Sequence, residues 1–119
     1  MSLTVHSCTL DENGEMVFPD SENASETLAG FEDYRTTLYG GEVAKRLGFK
    51  VLPTLAFRNI YATGQEVNQL KAEAEIMMRE AAAFAEHVKE DADGIKRRAN
   101  NIRKACIRAR KMQGNVVIW

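Results

Sequence analysis

Two histidines and two cysteines are among the residues that could hold a metal ion or act in nucleophilic chemistry. His6 and Cys8 stand two apart in "TVHSCTL", whereas His87 and Cys106 lie far along the chain. Zinc sites usually bring their ligands in close-spaced pairs on turns, and only one pair here is close. Side chains two apart on a strand are about 7 Å apart, too far for a direct thiol–imidazole hydrogen bond. We therefore predict no metal site, no cofactor and no catalytic residue, and expect a protein that is not an enzyme.

A basic stretch, "IKRRANNIRKACIRARKMQ" at 95–113, holds eight Lys or Arg and no acid. It favours nucleic-acid binding as one hypothesis, in which Asn100 and Asn101 read base edges. The stretch has no aromatic side chain, and the chain's net charge of −1 is far from the basic footprint usual for such domains. The nucleic-acid-binding residues of this alternative are Lys96, Arg97, Arg103, Lys104, Arg110 and Lys111.

An acidic stretch, residues 1–34, balances the basic one. It contains eight acids and no Lys or Arg. These acids are Asp11, Glu12, Glu15, Asp20, Glu22, Glu26, Glu32 and Asp33. Such asymmetry indicates either that the two ends face each other in the fold or that each end binds an outside partner of opposite charge.

An aromatic and charged segment, "GFEDYRTTLYGG" at 30–41, is the most distinctive surface candidate. Aromatic residues and Arg are enriched at protein interfaces. The alternative is that Phe31 and Tyr34 are core residues of an amphipathic helix. The predicted partner-binding residues are Glu26, Phe31, Glu32, Asp33, Tyr34 and Arg35.

The N-terminal half is predicted to contain a β-hairpin and a helix. Asn13-Gly14 supplies the turn between two short strands. Apolar residues recur every three or four positions from Leu28 to Leu38, which predicts a helix at about 25–39. A short helix, "EVAKRLG", follows and ends at Gly48. The next stretch is irregular, with a short strand near 55–61, because Pro53 argues against a central strand.

The C-terminal half is predicted to form a long antiparallel helical hairpin, at about 64–90 and 94–113. "TGQE" fits a capping box with Thr63 as its N-cap and Glu66 as its acid. Apolar residues then follow heptad spacing on both helices. They are Val67, Leu70, Ala74, Met77, Ala81, Phe84 and Val88, then Ile95, Ala99, Ile102, Cys106 and Ala109. A simple hairpin leaves the glutamate column at 66, 73 and 80 and most basic positions without opposite charges.

The tail "NVVIW" is predicted to be a final strand beside the N-terminal hairpin. The expected fold class is α+β: one domain, 1–119, with a small antiparallel sheet against the helical hairpin and the helix 25–39. No signal peptide and no run of about 18 apolar residues is visible. We therefore expect a cytoplasmic protein that does not contact membranes and keeps both thiols reduced.

These features favour a small non-catalytic protein-interaction domain, of the inhibitor, immunity or adaptor kind. It would present its acidic, aromatic face to a basic protein partner. The first alternative is nucleic-acid binding through 95–113. The second is a structural homodimer formed through the helical hairpin, because Ile76 and Ile107 lie outside the seam and need cover.

Overall fold

The computed structural model describes residues 2–19 and 23–119, so the acids Asp20 and Glu22 lie outside the described residues. It has an α+β fold with a small antiparallel sheet and a long C-terminal helix. The strands are β1 (Ser2–Leu10), β2 (Met16–Val17), β3 (Leu28–Phe31), β4 (Ile60–Ala62) and β5 (Asn115–Ile118). The helices are α1 (Glu42–Arg46), α2 (Gln65–Arg79), α3 (Ala81–Ala85) and α4 (Ala92–Lys111).

Strand β1 is the centre of the sheet. Its one edge pairs with β5, which in turn pairs with β4. Its other edge pairs with β3 at the start of the strand and with β2 at its end. The predicted N-terminal hairpin and C-terminal strand are confirmed, and Gly14 has the left-handed φ of 80° that the hairpin turn requires. The sheet has two strands besides the N-terminal hairpin and the C-terminal strand: β3 pairs with β1, and β4 pairs with β5.

The core lies between the sheet and the helices. Leu3 and Val5 of β1, and Val116 and Ile118 of β5, are buried on the side of the sheet that packs on α4. All the predicted seam residues are buried except Val88, which is partly buried. The heptad spacing therefore identified the apolar face of both helical segments correctly.

The predicted helix at 25–39 is wrong. A single 3₁₀ turn at Ala24–Glu26 is followed by strand β3 and then by a π-helical turn at Arg35–Tyr39. Gly30 explains the change, because its φ of 118° is incompatible with a helix. A side chain there would also collide with the ring of Tyr34. The spacing of three and four between apolar residues arises from a strand and a turn that pack on the same core.

The first arm of the predicted hairpin, 64–90, is not one helix. Helix α2 ends at Arg79, and Glu80, with φ −102° and ψ 22°, separates it from α3. Buried seam residues continue across this break, so the apolar pattern does not reveal it. The predicted capping box is also wrong, because Gly64 with φ 55° is the N-cap and no side chain caps the helix.

Helix α4 is longer at its start and shorter at its end than the predicted 94–113. Asp91 is its N-cap, and its carboxylate accepts a 2.8 Å hydrogen bond from the backbone N–H of Gly94. Such a cap satisfies one of the otherwise unpaired amides of a first helical turn. The predicted strand near 55–61 is met only at its end, because β4 begins at Ile60. A 3₁₀ segment at Leu52–Ala56, with Pro53 in its first turn, precedes it.

Glu73 is a carboxylate of α2 that is only 1% exposed. Its two oxygens accept hydrogen bonds of 2.7 to 3.2 Å from the backbone N–H groups of Lys50, Val51 and Leu52. The side chain of Gln69 donates a further bond of 2.8 Å. The glutamate column at 66, 73 and 80 is therefore not uniform: Glu73 is buried and satisfies the amides at the start of the Leu52–Ala56 segment.

We predict that Glu73→Gln lowers the free energy of unfolding by roughly 2–4 kcal/mol. One oxygen becomes an NH₂ group that cannot accept, so buried backbone amides lose their partner. Glu80→Gln is the matched control, because Glu80 is an exposed glutamate next to the same helix and should change the value by less than about 0.5 kcal/mol. Urea unfolding followed by circular dichroism measures both, and equal effects would contradict this role of Glu73.

Candidate functional site

A cavity of about 630 Å³ contains most of the predicted partner-binding face. Phe31, Glu32, Asp33 and Tyr34 form one wall of it. The opposite wall comes from the turns after α3. The lining residues on that side are His87, Val88 and Lys89, with Thr37 between the walls. Two acidic residues, one lysine, one histidine and the two aromatic residues Phe31 and Tyr34 therefore line the same space.

Phe31, the last residue of β3, supplies the exposed apolar surface of this cavity. It is 51% exposed. Its ring contacts the Tyr34 ring edge to face, with centroids 5.4 Å apart. The guanidinium carbon of Arg98 lies 5.8 Å from the Phe31 ring centroid, within cation–π range. The ring is thus held in place while about half of its surface stays open to solvent.

Tyr34 connects the cavity to the start of α4. It is buried, and its hydroxyl donates a 2.5 Å hydrogen bond to Oε2 of Glu90. Oε1 of Glu90 lies 3.4 Å from Nε of Arg98. Burial, followed by the hydrogen bond to Glu90 and its negative charge, raises the pKa of Tyr34 well above its ordinary value. Tyr34 is therefore a supporting residue of the wall and not an exposed contact.

Arg35 is bound within its own chain. Its Nη1 donates to the carbonyl oxygens of Leu55 (3.1 Å) and Arg58 (3.2 Å), and its Nη2 donates to Oδ1 of Asn59 at 2.6 Å. Its Nε lies 2.5 Å from Oε1 of Glu32. The guanidinium group of Arg35 therefore connects the aromatic and charged segment to the end of the 3₁₀ segment at Leu52–Ala56. It also orients the carboxylate of Glu32.

The remaining predicted residues, Asp33 and Glu26, lie in different surroundings. Asp33 is exposed, and its backbone carbonyl accepts bonds from Thr36 and Thr37. Glu26 contacts α4, with Oε2 at 3.4 Å from Arg108 and Oε1 at 3.9 Å from Lys104. The structure therefore brings Asp33 to the cavity beside Phe31 and Glu32, and engages Glu26 in ion pairs elsewhere.

The basic stretch is partly paired inside the molecule. Arg103 lies 3.6 Å from Glu75, and Lys104 pairs with Glu26 of the acidic stretch. Four other predicted nucleic-acid-binding residues are exposed, and none of them has an ion pair with another described residue. They are Lys96, Arg97, Arg110 and Lys111. Glu26 of the acidic stretch therefore pairs with Lys104 and Arg108 of α4. Exposed bases remain near the first and the last turn of this helix.

Asn101 is a structural residue. Only 9% of it is exposed, and its amide donates to the carbonyl oxygens of Ser25 (3.1 Å) and Leu28 (2.8 Å). These bonds attach the segment before β3 to α4. Asn101 is therefore occupied, and the hypothesis that it reads base edges has no support in its position. Asn100 accepts a bond from Arg103 at 3.0 Å.

The histidines and cysteines are dispersed. The ring of His6 contacts Phe18 and Trp119, and His87 lines the cavity. Both cysteines are buried, and burial raises the pKa of the Cys106 thiol to about 12. Such a thiol carries almost no thiolate at neutral pH. Within residues 2–19 and 23–119, no group of three or more His, Cys, Asp or Glu is placed to hold a metal ion.

Residues 87–89 form the part of the cavity that sequence reasoning missed. They are more than fifty positions from Asp33 in the sequence, and no local pattern connects them. The one available signal was His87, which interrupts the column of glutamates at 66, 73 and 80. The break between α2 and α3 and the turns that follow bring these residues to the cavity.

Comparison with known proteins gives no family for this chain. No family model matches it, and neither the curated proteins nor the solved structures provide a match. In the part of the chain that the structure describes, no helix has the length and apolar character that a bilayer crossing requires.

We predict that Tyr34→Phe changes the pH dependence of stability in alkali. The unfolded chain releases the Tyr34 proton near pH 10, whereas the folded protein, with its raised pKa, retains it. The unfolded state is then favoured as the pH rises above 10. In the wild-type chain, the free energy of unfolding should therefore fall between about pH 10 and 11. Without the Tyr34 hydroxyl, this slope should be smaller by up to about 1 kcal/mol per pH unit.

Tyr61→Phe is the control for this measurement, because Tyr61 is 42% exposed on β4. Urea unfolding at pH 9, 10 and 11 compares the slopes of both variants with that of the wild-type chain. Identical slopes for all three proteins would contradict the assignment of Tyr34. At pH 7, Tyr34→Phe should also cost about 1 kcal/mol, because Glu90 loses a hydrogen bond.

Proposed function

We propose that this protein is a non-catalytic interaction domain that binds a basic segment of a protein partner in the cavity beside Phe31. The observation that carries the proposal is the placement of two exposed carboxylates, Glu32 and Asp33, next to a half-exposed aromatic ring. Glu26 and Arg35, which the sequence analysis included in this face, support the fold instead. The binding residues are thus Phe31, Glu32 and Asp33.

An arginine or lysine side chain fits the chemistry of this cavity. A carboxylate forms charge-assisted hydrogen bonds with a guanidinium or ammonium group. An aromatic face attracts the same cation, by about 0.5–1 kcal/mol at exposed sites. Phe31 already has one guanidinium, that of Arg98, near its ring. With His87 neutral, the two carboxylates against Lys89 give the lining a net charge of −1.

The cavity is preorganised, which reduces the entropy lost on binding. Glu32 is held by Arg35, and Phe31 is held between Tyr34 and Arg98. Because these groups are already ordered, a partner need not order them when it binds. An inhibitor or immunity-type protein, or a small adaptor, uses a surface of this kind to cover a cationic patch on its target.

Nucleic-acid binding is the second candidate. It is favoured by the exposed bases at both ends of α4, namely Lys96, Arg97, Arg110 and Lys111. Phosphate contacts release counterions, so this function requires an affinity that falls steeply with salt. Two of the six predicted bases, Arg103 and Lys104, already have acidic partners, which leaves fewer charges for phosphate.

The test is affinity capture from a lysate of the source organism, before and after nuclease treatment. We predict that the wild-type chain retains a protein after nuclease treatment and that the double variant Glu32→Gln/Asp33→Asn retains at least ten times less. The loss follows because the partner's cation would then be desolvated without an opposite charge. Mass spectrometry with isotope-labelled standards quantifies the retained protein.

Glu12→Gln/Glu15→Gln is the matched control. It removes the same charge from exposed acids in the turn between β1 and β2, far in sequence from the cavity. Retention by this control and by the wild-type chain, but not by the site variant, supports the proposal. Equal loss in both double variants would indicate a response to net charge alone and would contradict it. Material released by nuclease would favour the second candidate.

A further inference from the structure

The sheet has one face that no described helix covers. Along β1, Leu3 and Val5 point towards α4, so the alternate residues point the other way. We call this second side the open face, and its main residues are His6, Leu10, Phe18, Tyr61, Val117 and Trp119. The cross-strand pairs Tyr61–Val117 and His6–Val117 place three of these side chains in one row.

Aromatic rings dominate the open face. The centroids of His6, Phe18 and Trp119 lie 5.6 to 6.0 Å from one another. Val117 lies in the middle of the row and is only 1% exposed. Phe18, Tyr61 and Trp119 are 39%, 42% and 38% exposed. The rings thus cover the strands and present their own outer surfaces to solvent.

The open face has no Asp, Glu, Lys or Arg among its described residues. Its remaining positions on β1, β2 and β5 are Ser2, Thr4, Cys8, Met16 and Asn115, of which Cys8 is fully buried. By contrast, 28% of the whole chain is charged. A surface strip of this extent without charge is unusual for a protein that faces only water, since exposed apolar patches tend to mark interaction sites.

The helices α2 and α4 differ from the open face in their exposed side chains. None of the large apolar side chains that are well exposed in the described chain lies on α2 or α4. Ile76 and Ile107, the two residues that suggested a homodimer through the helices, are partly buried within a single copy. Apart from Leu47 and Phe57, the well-exposed large apolar side chains of the described chain lie on strands of the sheet or directly next to them.

We propose that the occupant of the open face is a second copy of this chain, packed sheet against sheet across a two-fold axis. In a two-fold contact the same surface meets itself, so any charge near the axis meets a like charge. A face whose described residues include no Asp, Glu, Lys or Arg avoids that repulsion. A charged partner would instead lose water from its charged groups with no opposite charge to compensate. Two apolar sheet faces pack well at a separation of about 10 Å.

The area of the open face determines how tightly two copies are expected to bind. The strands β1, β2, β4 and β5 contain nine, two, three and four residues. At a rise of about 3.4 Å per residue and a spacing of about 4.8 Å, these residues together cover roughly 300 Å² in plane. Standard stable interfaces bury about 800 Å² from each partner. The dimer should therefore be weak, with a dissociation constant on the order of 100 µM, and its population should depend on protein concentration. This inference uses a different surface from the cavity and does not depend on the proposed function.

Sedimentation equilibrium on the full chain, from about 5 to about 500 µM, tests the proposal. We expect the average mass of the wild-type protein to rise towards that of a dimer. Phe18→Glu and Tyr61→Glu should each raise the dissociation constant at least tenfold, because like charges then face each other. Phe57→Glu is the matched control, since Phe57 is an 85% exposed aromatic residue outside the open face, and it should leave the constant unchanged.

Amide chemical shifts followed during dilution of the wild-type protein give an independent measurement. We expect changes at β1, β4 and β5 and none on the exposed side of α2. A wild-type chain that stays monomeric at about 500 µM would overturn the proposal. A dimer that persists in both open-face variants, once their folding is verified by circular dichroism, would also overturn it, as would dilution shifts confined to α2 and α4.

Discussion

The candidate site depends on the hydrogen bonds that the buried carboxylate of Glu73 accepts. This carboxylate accepts the backbone amides of Lys50, Val51 and Leu52 and so fixes the start of the Leu52–Ala56 segment against α2. That segment and the turn after it provide the carbonyl and amide oxygens that hold Arg35. Arg35 in turn orients Glu32. A carboxylate far from the cavity therefore determines where one of the cavity's own acids lies.

A second set of contacts holds the other side of the cavity. Tyr34 donates to Glu90, Glu90 pairs with Arg98, and Arg98 lies over the ring of Phe31. These contacts connect β3, the turns after α3 and the first half of α4. The aromatic and acidic residues that remain exposed are thus fixed by charged groups that are partly or fully buried. Such an arrangement suits recognition by complementary charge and shape, since little order is lost on binding.

The sequence was informative where a pattern repeated and uninformative where single long-range contacts decided the structure. The heptad spacing located the buried residues of α2 and α4, and Asn13-Gly14 located the hairpin turn. The same spacing of three and four produced a false helix at 25–39, because apolar spacing cannot distinguish a helix from a strand and turn on one core. The role of Glu73 could not be read from the sequence, because the backbone amides that it accepts lie more than twenty residues away.

The most direct test of the account is an NMR titration of the ¹⁵N-labelled protein with N-acetyl-arginine amide, and in parallel with its uncharged analogue N-acetyl-citrulline amide. The account predicts amide shift changes at residues 31–37 and 87–89 with the arginine compound, weakened by salt and absent with the citrulline compound. Equal responses to both compounds, or changes located outside these two segments, would contradict the assignment of this cavity as a cation-recognising site.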